Sequence, residues 1–368
     1  MFRSALGIVF SLLALTVAVP ATYAATATKA SAKKQVVKKS AAKAKSRVAV
    51  RKTGRTAKSS TVSARARAAK PMTTAGRKAS ASYQSVAFSP SAPAAPVMSA
   101  GDLAGLHTTR DPLALKSNAA LVIDQTNAHV LFEKNARIAL PIASLTKLMT
   151  ALIVVEARQS MDEVLQVTSD DIDREKNSSS RLRVGARMTR ANMLHIALMS
   201  SENRAASALG RHYPGGLPAF VAAMNAKARA LGMTSARFVD STGLSSQNVA
   251  SAHDLAKLAV AAYQHPIIRE YSTDPGYAVD AGGYQLNYMN SNRLVKSPNW
   301  DIGLQKTGYI TEAGRCLVMQ ARVDGRPVVM VFLDSKGKES RLGDASRIRK
   351  WLEVSRPQAL TQTAANQG

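Results

Sequence analysis

Ser144 and Lys147 stand three residues apart. On a helix that spacing puts both side chains on one face, one turn apart. An ammonium buried in a cleft beside a hydroxyl loses its proton near neutral pH, and can then act as the base that activates the serine for attack. A serine in the first helical turn also sits where orphan N–H groups and the dipole favour an attacking oxygen that becomes an anion. The spacing alone says little, because Ser31/Lys34, Ser40/Lys43 and Ser335/Lys338 repeat it. Only Ser144 opens an apolar run, continued at Leu148, Met149, Leu152, Ile153 and Val155.

Two further groups narrow the chemistry. Ser201-Glu202-Asn203 interrupts two helical stretches and offers a hydroxyl and a carboxamide in a short connection. Lys306-Thr307-Gly308 precedes an apolar strand; alternation puts Lys306 and Gly308 on one side and Thr307 on the other. Gly308 is expected to remove a side chain where a substrate backbone approaches closely. Each pattern has a decoy, Ser246/Asn248 in a turn and Lys52-Thr53-Gly54 far upstream. The order is what carries weight: Ser-x-x-Lys at a helix start, Ser-x-Asn 57 residues on, and Lys-Thr-Gly 105 residues after that. Asp240, before Ser241-Thr242-Gly243, reads as a turn-former rather than an acid. His253 and the other histidines lack any nucleophile elbow or triad context. Six scattered histidines and one cysteine, Cys316, hold no metal-binding spacing, and no organic cofactor is implied.

The elements that must hold these groups follow from periodicity. Residues 119–124 and 129–133 read as two strands around a turn, and a buried helix begins near Ala143. Helices follow around 191–199, from Ala205 and over 218–231, the last with Pro218 in its first turn. Residues 316–323 and 327–334 form a hairpin through Asp324-Gly325, and 340–354 closes the domain as a helix. Strands at both ends with helices between imply a mixed α/β fold.

The rest of the chain is different in kind. Of 368 residues, 50 are Lys or Arg and 24 Asp or Glu, a net charge of +26. Seventeen of the basic residues and none of the acidic ones lie between Ala25 and Ala100. Before them, Met1-Phe2-Arg3, an apolar run from Ala5 to Val19 and small residues to Ala24 describe a secretory signal peptide cleaved after Ala24. The run is shorter than the roughly 20 residues that span a bilayer, so an uncleaved anchor is the second reading. Residues 25–111 have almost nothing to bury and are expected to be a disordered tail. Residues 29–78 have the charge of a nucleic-acid arm, but export argues against that partner. A weak electrostatic contact with an anionic membrane or envelope polymer is the functional reading, a solvated spacer the alternative. The folded domain is then 112–355, followed by a loose tail over 356–368.

The three motifs together resemble those of the penicillin-recognising serine enzymes. More narrowly, the strings Pro141-Ile142-Ala143-Ser144-Leu145-Thr146-Lys147, Phe238-Val239-Asp240-Ser241-Thr242-Gly243-Leu244 and Lys306-Thr307-Gly308-Tyr309 are similar to those of low-molecular-mass penicillin-binding proteins, the D-alanyl-D-alanine peptidases. The resemblance covers roughly residues 112–355. It implies an antiparallel sheet flanked by helices, with a helical subdomain. It implies that Ser144 is acylated, that Lys147 takes its proton and that Ser201 relays a proton to the leaving amine. Asn203 would hold the substrate amide, and Lys306 would supply positive potential and help keep Lys147 neutral by repulsion. Thr307 would bind the carboxylate side of the substrate, with a looser match at Arg341. The backbone N–H groups of Ser144 and Tyr309 would form an oxyanion hole. Peptidoglycan stem peptides become the substrates and β-lactams the inhibitors.

Glu202 and Arg204 stand where many carboxypeptidases of this group have Gly and Asp. The chain also ends soon after Val354, without the β-rich second domain and amphipathic helix of the membrane-anchored members. Both departures favour an endopeptidase of D-alanyl cross-links in the periplasm over a D-Ala-D-Ala carboxypeptidase. A serine β-lactamase stays open, although no deacylating Glu-x-x-x-Asn segment is apparent. So does a catalytically idle wall-binding protein.

Overall fold

The computed structural model describes residues 97–355. The leader, the basic segment 29–78 and residues 356–368 lie outside them. The core is a five-stranded antiparallel sheet in the order β2-β1-β11-β10-β9. Its strands are β1 (Ser117–Asp124), β2 (Val130–Lys134), β9 (Asp301–Ile310), β10 (Gly314–Val323) and β11 (Arg326–Ser335). The two-residue period decides which side chain goes where. Along β11, Val329, Val331 and Leu333 face the helical layer, while Val328, Met330 and Phe332 face Leu342, Ala345 and Ile348 of α8 (Ser340–Val354). Both faces are thus covered, which is why these strands are apolar at almost every position.

The second layer holds α2 (Thr146–Glu156), α3 (Arg190–Met199), α4 (Asn203–Arg211), α5 (Gly216–Ala230), α6 (Ala252–Tyr263) and α7 (Pro266–Thr273). Helix α2 is buried from Thr146 to Val154, as its lack of a polar face requires. Two-stranded pieces complete the layer: β3 (Leu140–Pro141) with β6 (Val249–Ala250), β4 (Val164–Gln166) with β5 (Arg187–Thr189), and β7 (Gly276–Asp280) with β8 (Gln285–Met289). Strand β9 is an edge of the large sheet and packs on the 143–145 turn that leads into α2. An edge strand leaves every second pair of backbone groups without a ladder partner, here beside Ser144.

Residues 97–111 correct an expectation: they are folded onto the domain rather than part of a flexible tail. Ser99 caps α1 (Ala100–Leu103) and donates to Asp334 at 2.6 Å, and Asn118 donates to the same carboxylate at 2.8 Å. Lys134 pairs with Asp111 at 2.9 Å, each side chain only 6% exposed. These are polar anchors, invisible to a reading that scores apolar content.

Candidate active site

The turn that presents Ser144 is strained and tightly enclosed. Ala143 has φ +47°, a left-handed conformation that costs a non-glycine residue on the order of 1 kcal/mol or more. Two glycines hold it there. A methyl group on Gly243 would fall 2.0 Å from the Ala143 carbonyl oxygen and 2.9 Å from Ser144 N. One on Gly308 would fall 3.0 Å from the Ile142 carbonyl oxygen and 3.1 Å from Ser144 N. Gly308 therefore makes room for the protein's own nucleophile turn, a different reason from the expected approach of substrate. Gly243, at φ +82°, stands in the 238–244 string noted in the sequence, where it was given no role of its own.

Lys147 lies in the most buried helix and is itself 1% exposed. Its Nζ is 2.9 Å from Ser144 Oγ, 2.8 Å from Asn203 Oδ1 and 2.6 Å from the Thr242 carbonyl oxygen. The last two can only accept. A neutral amine has two N–H groups and one lone pair, so donating to Asn203 and Thr242 directs the lone pair at the Ser144 hydroxyl. Burial pushes the Lys147 ammonium down to about 7, against the opposing charges of Asp240 and Glu202. The amine is thus available near neutrality. Lys306, fully buried, donates to the Thr307 carbonyl at 2.8 Å. It too lies well below the ordinary lysine range, through burial first and then repulsion by Lys147 and Arg341. Burial is the largest cause for both lysines, and like-charge repulsion between them, which is mutual, acts in the same direction.

Asp240 fixes the Thr242 carbonyl. Its carboxylate accepts from Thr242 N, Thr242 Oγ1 and Gly243 N on one oxygen, and from Ser245 N and Asn248 Nδ2 on the other. That makes it the turn-former the sequence suggested. Asn203 is oriented from its other end by donating to Ser178 Oγ at 2.9 Å. Ser178 was missed, although Asp173 and the amide it accepts from five residues later, Ser178 N, mark a built loop rather than a loose one. Glu202 caps α4 and is nearly buried, accepting from Ser180 Oγ at 2.6 Å.

The remaining expected residues are arranged less directly. Ser201 sits between Met199 and Asn203 with φ +67°, and its hydroxyl has no hydrogen-bond partner among the described residues. Thr307 Oγ1 donates to Ser291 Oγ at 2.8 Å, a partner the sequence did not indicate. Tyr309 is half exposed on the edge strand, its ring under the Arg315 guanidinium at 4.4 Å. Arg341 is buried, not a solvated first-turn arginine; Nη1 donates to the Lys338 carbonyl and Nε has no partner. Among the described residues no group of three His, Cys, Asp or Glu is placed to hold a metal.

Because Glu202 raises Lys147, Glu202→Gln is expected to lower the midpoint of the rising limb of acylation rate against pH. The neutral amine then forms at lower pH, so a profile rising through about 7 in the native protein moves to the acid side. Stopped-flow acylation by a chromogenic cephalosporin between pH 5 and 9 measures it; a midpoint that stays put or rises contradicts the assignment.

Comparison with known proteins is consistent with this geometry. A family described as D-alanyl-D-alanine carboxypeptidase, Peptidase S11, matches residues 106–337. The D-alanyl-D-alanine endopeptidase of Pseudomonas aeruginosa is 46% identical over 252 residues, 68% of this chain and 81% of that protein. That of Escherichia coli is 43% identical over 251 residues, again 68% and 81%. Among solved structures, the Streptomyces K15 DD-transpeptidase superposes with TM-score 0.61 at 25% identity, covering 66% of this chain and 98% of that one. Penicillin-binding protein D2 of Listeria monocytogenes, in its cefotaxime-bound form, gives 0.59 at 31% identity, covering 66% and 98%.

Proposed function

The chain belongs to the D-alanyl-D-alanine carboxypeptidase family of peptidases, and from that we propose that it is a serine D,D-peptidase that cleaves D-alanyl cross-links of peptidoglycan through an acyl-enzyme on Ser144. The observation that carries the mechanism is the Lys147 amine, whose N–H groups are committed to two acceptors and whose lone pair is left for Ser144. Ser144 Oγ attacks the D-Ala carbonyl carbon while its proton passes to Lys147 Nζ. The C–N bond then breaks, and the departing amine takes a proton relayed from Lys147 through Ser201. Water attacks the ester, Lys147 again accepts a proton, and the D-Ala carboxylate leaves as Ser144 regains its hydrogen. Backbone N–H groups of Ser144 and Tyr309 are assigned to the oxyanion, a contribution of roughly 3–4 kcal/mol per donor in comparable sites. Lys306, Thr307 and Arg341 supply the positive, hydroxyl-bearing side of the cleft for the carboxylate next to the scissile bond. Burial of Arg341 with Nε unpartnered supports that role.

Endopeptidase activity is favoured over carboxypeptidase by the names of the two relatives above and by Glu202 in the middle motif. The leader supports export to the periplasm, and the basic segment 29–78 supports a loose contact with an anionic envelope surface. Digestion of isolated peptidoglycan followed by muropeptide separation is the test. Cross-linked dimers are expected to collapse to monomers while monomeric pentapeptides survive. Pentapeptides trimmed to tetrapeptides with the dimers intact would give the carboxypeptidase reading instead.

A further inference from the structure

A cleft of about 450 Å³ opens beside the Ser201-Glu202-Asn203 connection, walled by residues 179–181, 200–203 and 287–289. It holds two opposite charges, neither of which has a counter-ion within 4 Å among the described residues. Glu202 is 8% exposed and accepts only from neutral donors: Ser180 Oγ, Arg204 N and Tyr288 OH. A carboxylate so enclosed without a cation is costly unless something else supplies one. Arg181 lies with its guanidinium 4.2 Å over the Tyr288 ring, and Nη1 donates to the Asn287 carbonyl at 2.6 Å. The ring face and carbonyl fix the plane of the guanidinium and leave its other N–H groups free for a planar anion. Tyr288 thus spaces the pair, carrying the cation on its face and the anion at its hydroxyl.

Such a site complements an ammonium and a carboxylate borne on one carbon. Resting on the peptidoglycan reading, we infer that this cleft is a subsite for the free amino-carboxylate end of a diaminopimelate residue, Glu202 pairing with its ammonium and Arg181 with its carboxylate. In a cross-linked dimer one diaminopimelate has its side-chain amine tied up in the cross-link. The other, on the stem that becomes the acyl group, keeps both charges and directly precedes the D-Ala that Ser144 attacks. Asn203 belongs both to the wall of this cleft and to the Lys147 contacts, so the subsite abuts the reacting bond. Occupancy would pair Glu202 with a ligand ammonium, offsetting the charge that holds Lys147 up. Selecting the correct stem would then make the base readier to act.

The test pairs substrate changes with protein changes. Three synthetic cross-linked dimers are compared: the native form, one with that carboxylate converted to an amide, and one with that amine acetylated. The full-length protein is expected to prefer the native dimer over either by about tenfold in kcat/KM, one charge-assisted contact each. Arg181→Met should abolish discrimination against the amidated dimer alone, Arg181→Lys should retain part of it, and Glu202→Gln should abolish discrimination against the acetylated dimer alone. Equal rates on all three dimers for the native protein overturn the inference, as does an Arg181→Met variant that slows native and amidated dimers alike. Fluorescent penicillin run in parallel separates the two levels. Covalent labelling without discrimination removes only the subsite, whereas no labelling of the native protein removes the peptidase reading beneath it.

Discussion

Ser144→Ala is expected to take no covalent label from a fluorescent penicillin while remaining folded. In the proposed mechanism the hydroxyl oxygen is the attacking atom, so no neighbouring group can substitute for it. Its loss removes one hydrogen bond, worth about 1 kcal/mol, and Lys147 keeps its contacts to Asn203 and the Thr242 carbonyl. The strained Ala143 turn persists, because the Gly243 and Gly308 contacts that enclose it are to backbone atoms and to Ala143 itself. Denaturing gels after labelling, with circular dichroism and a melting curve as fold controls, give the result. Ser335→Ala is the control within the fold. It has a lysine at the same spacing, but its hydroxyl is bonded to Ser340 at 2.7 Å and the variant should label normally. Ser31→Ala and Ser40→Ala should do likewise. Label on purified Ser144→Ala would end the assignment of the nucleophile.

Lys147→Arg is expected to acylate about a thousandfold more slowly than the native protein, within the span that general-base catalysis supplies. Arginine keeps the positive charge and can donate to the same acceptors, so a purely electrostatic role would survive the change. It cannot release a proton in a protein, so a base would not. The bulkier planar group must also fit among Ser144, Asn203 and the Thr242 carbonyl, so a melting curve accompanies the kinetics. Stopped-flow acylation across pH 5–9 separates the readings. A base gives a flat, minimal rate at every pH, and acylation within tenfold of native at pH 7 would mean that the proton goes elsewhere.

The candidate nucleophile and base were legible because their setting was: one Ser-x-x-Lys of four began an apolar helix, and motif order confined the other candidate groups to a connection and a strand. The sheet was legible through short apolar runs next to turn residues at 119–124, 316–323 and 327–334, each of which falls within a strand of the structure. Less legible were partners that act through backbone. The Thr242 carbonyl and the close approach of Gly243 belong to no side-chain pattern; they emerge only when the 238–248 loop folds over the 143–145 turn. Helix α6 had a readable start that was overlooked, a capping box of Ser251 and Asp254 before Leu255 and Leu258. Residues 97–111 were misjudged for the opposite reason. Their Ala- and Pro-rich neighbourhood suggested a chain with nothing to bury, yet Ser99, Asp102 and Asp111 fix it through hydrogen bonds and an ion pair.

The two buried lysines bear on folding as well as on catalysis. Neither Lys147 nor Lys306 has a carboxylate within 4 Å among the described residues, and both are depressed by burial. In the unfolded chain each is an ordinary ammonium up to about pH 10.4. For Lys147 the folded state therefore binds fewer protons than the unfolded state between about pH 7 and that value. Folding in this window releases protons, and stability rises with pH by about 1.4 kcal/mol per unit for each proton released. Below pH 7 both states hold the Lys147 proton, and the full cost of enclosing a charge falls on the fold. On acidification the stability contribution is lost first, between about pH 10.4 and 7, and the base itself is removed only as pH falls through about 7, so stability and activity titrate one after the other on the same amine.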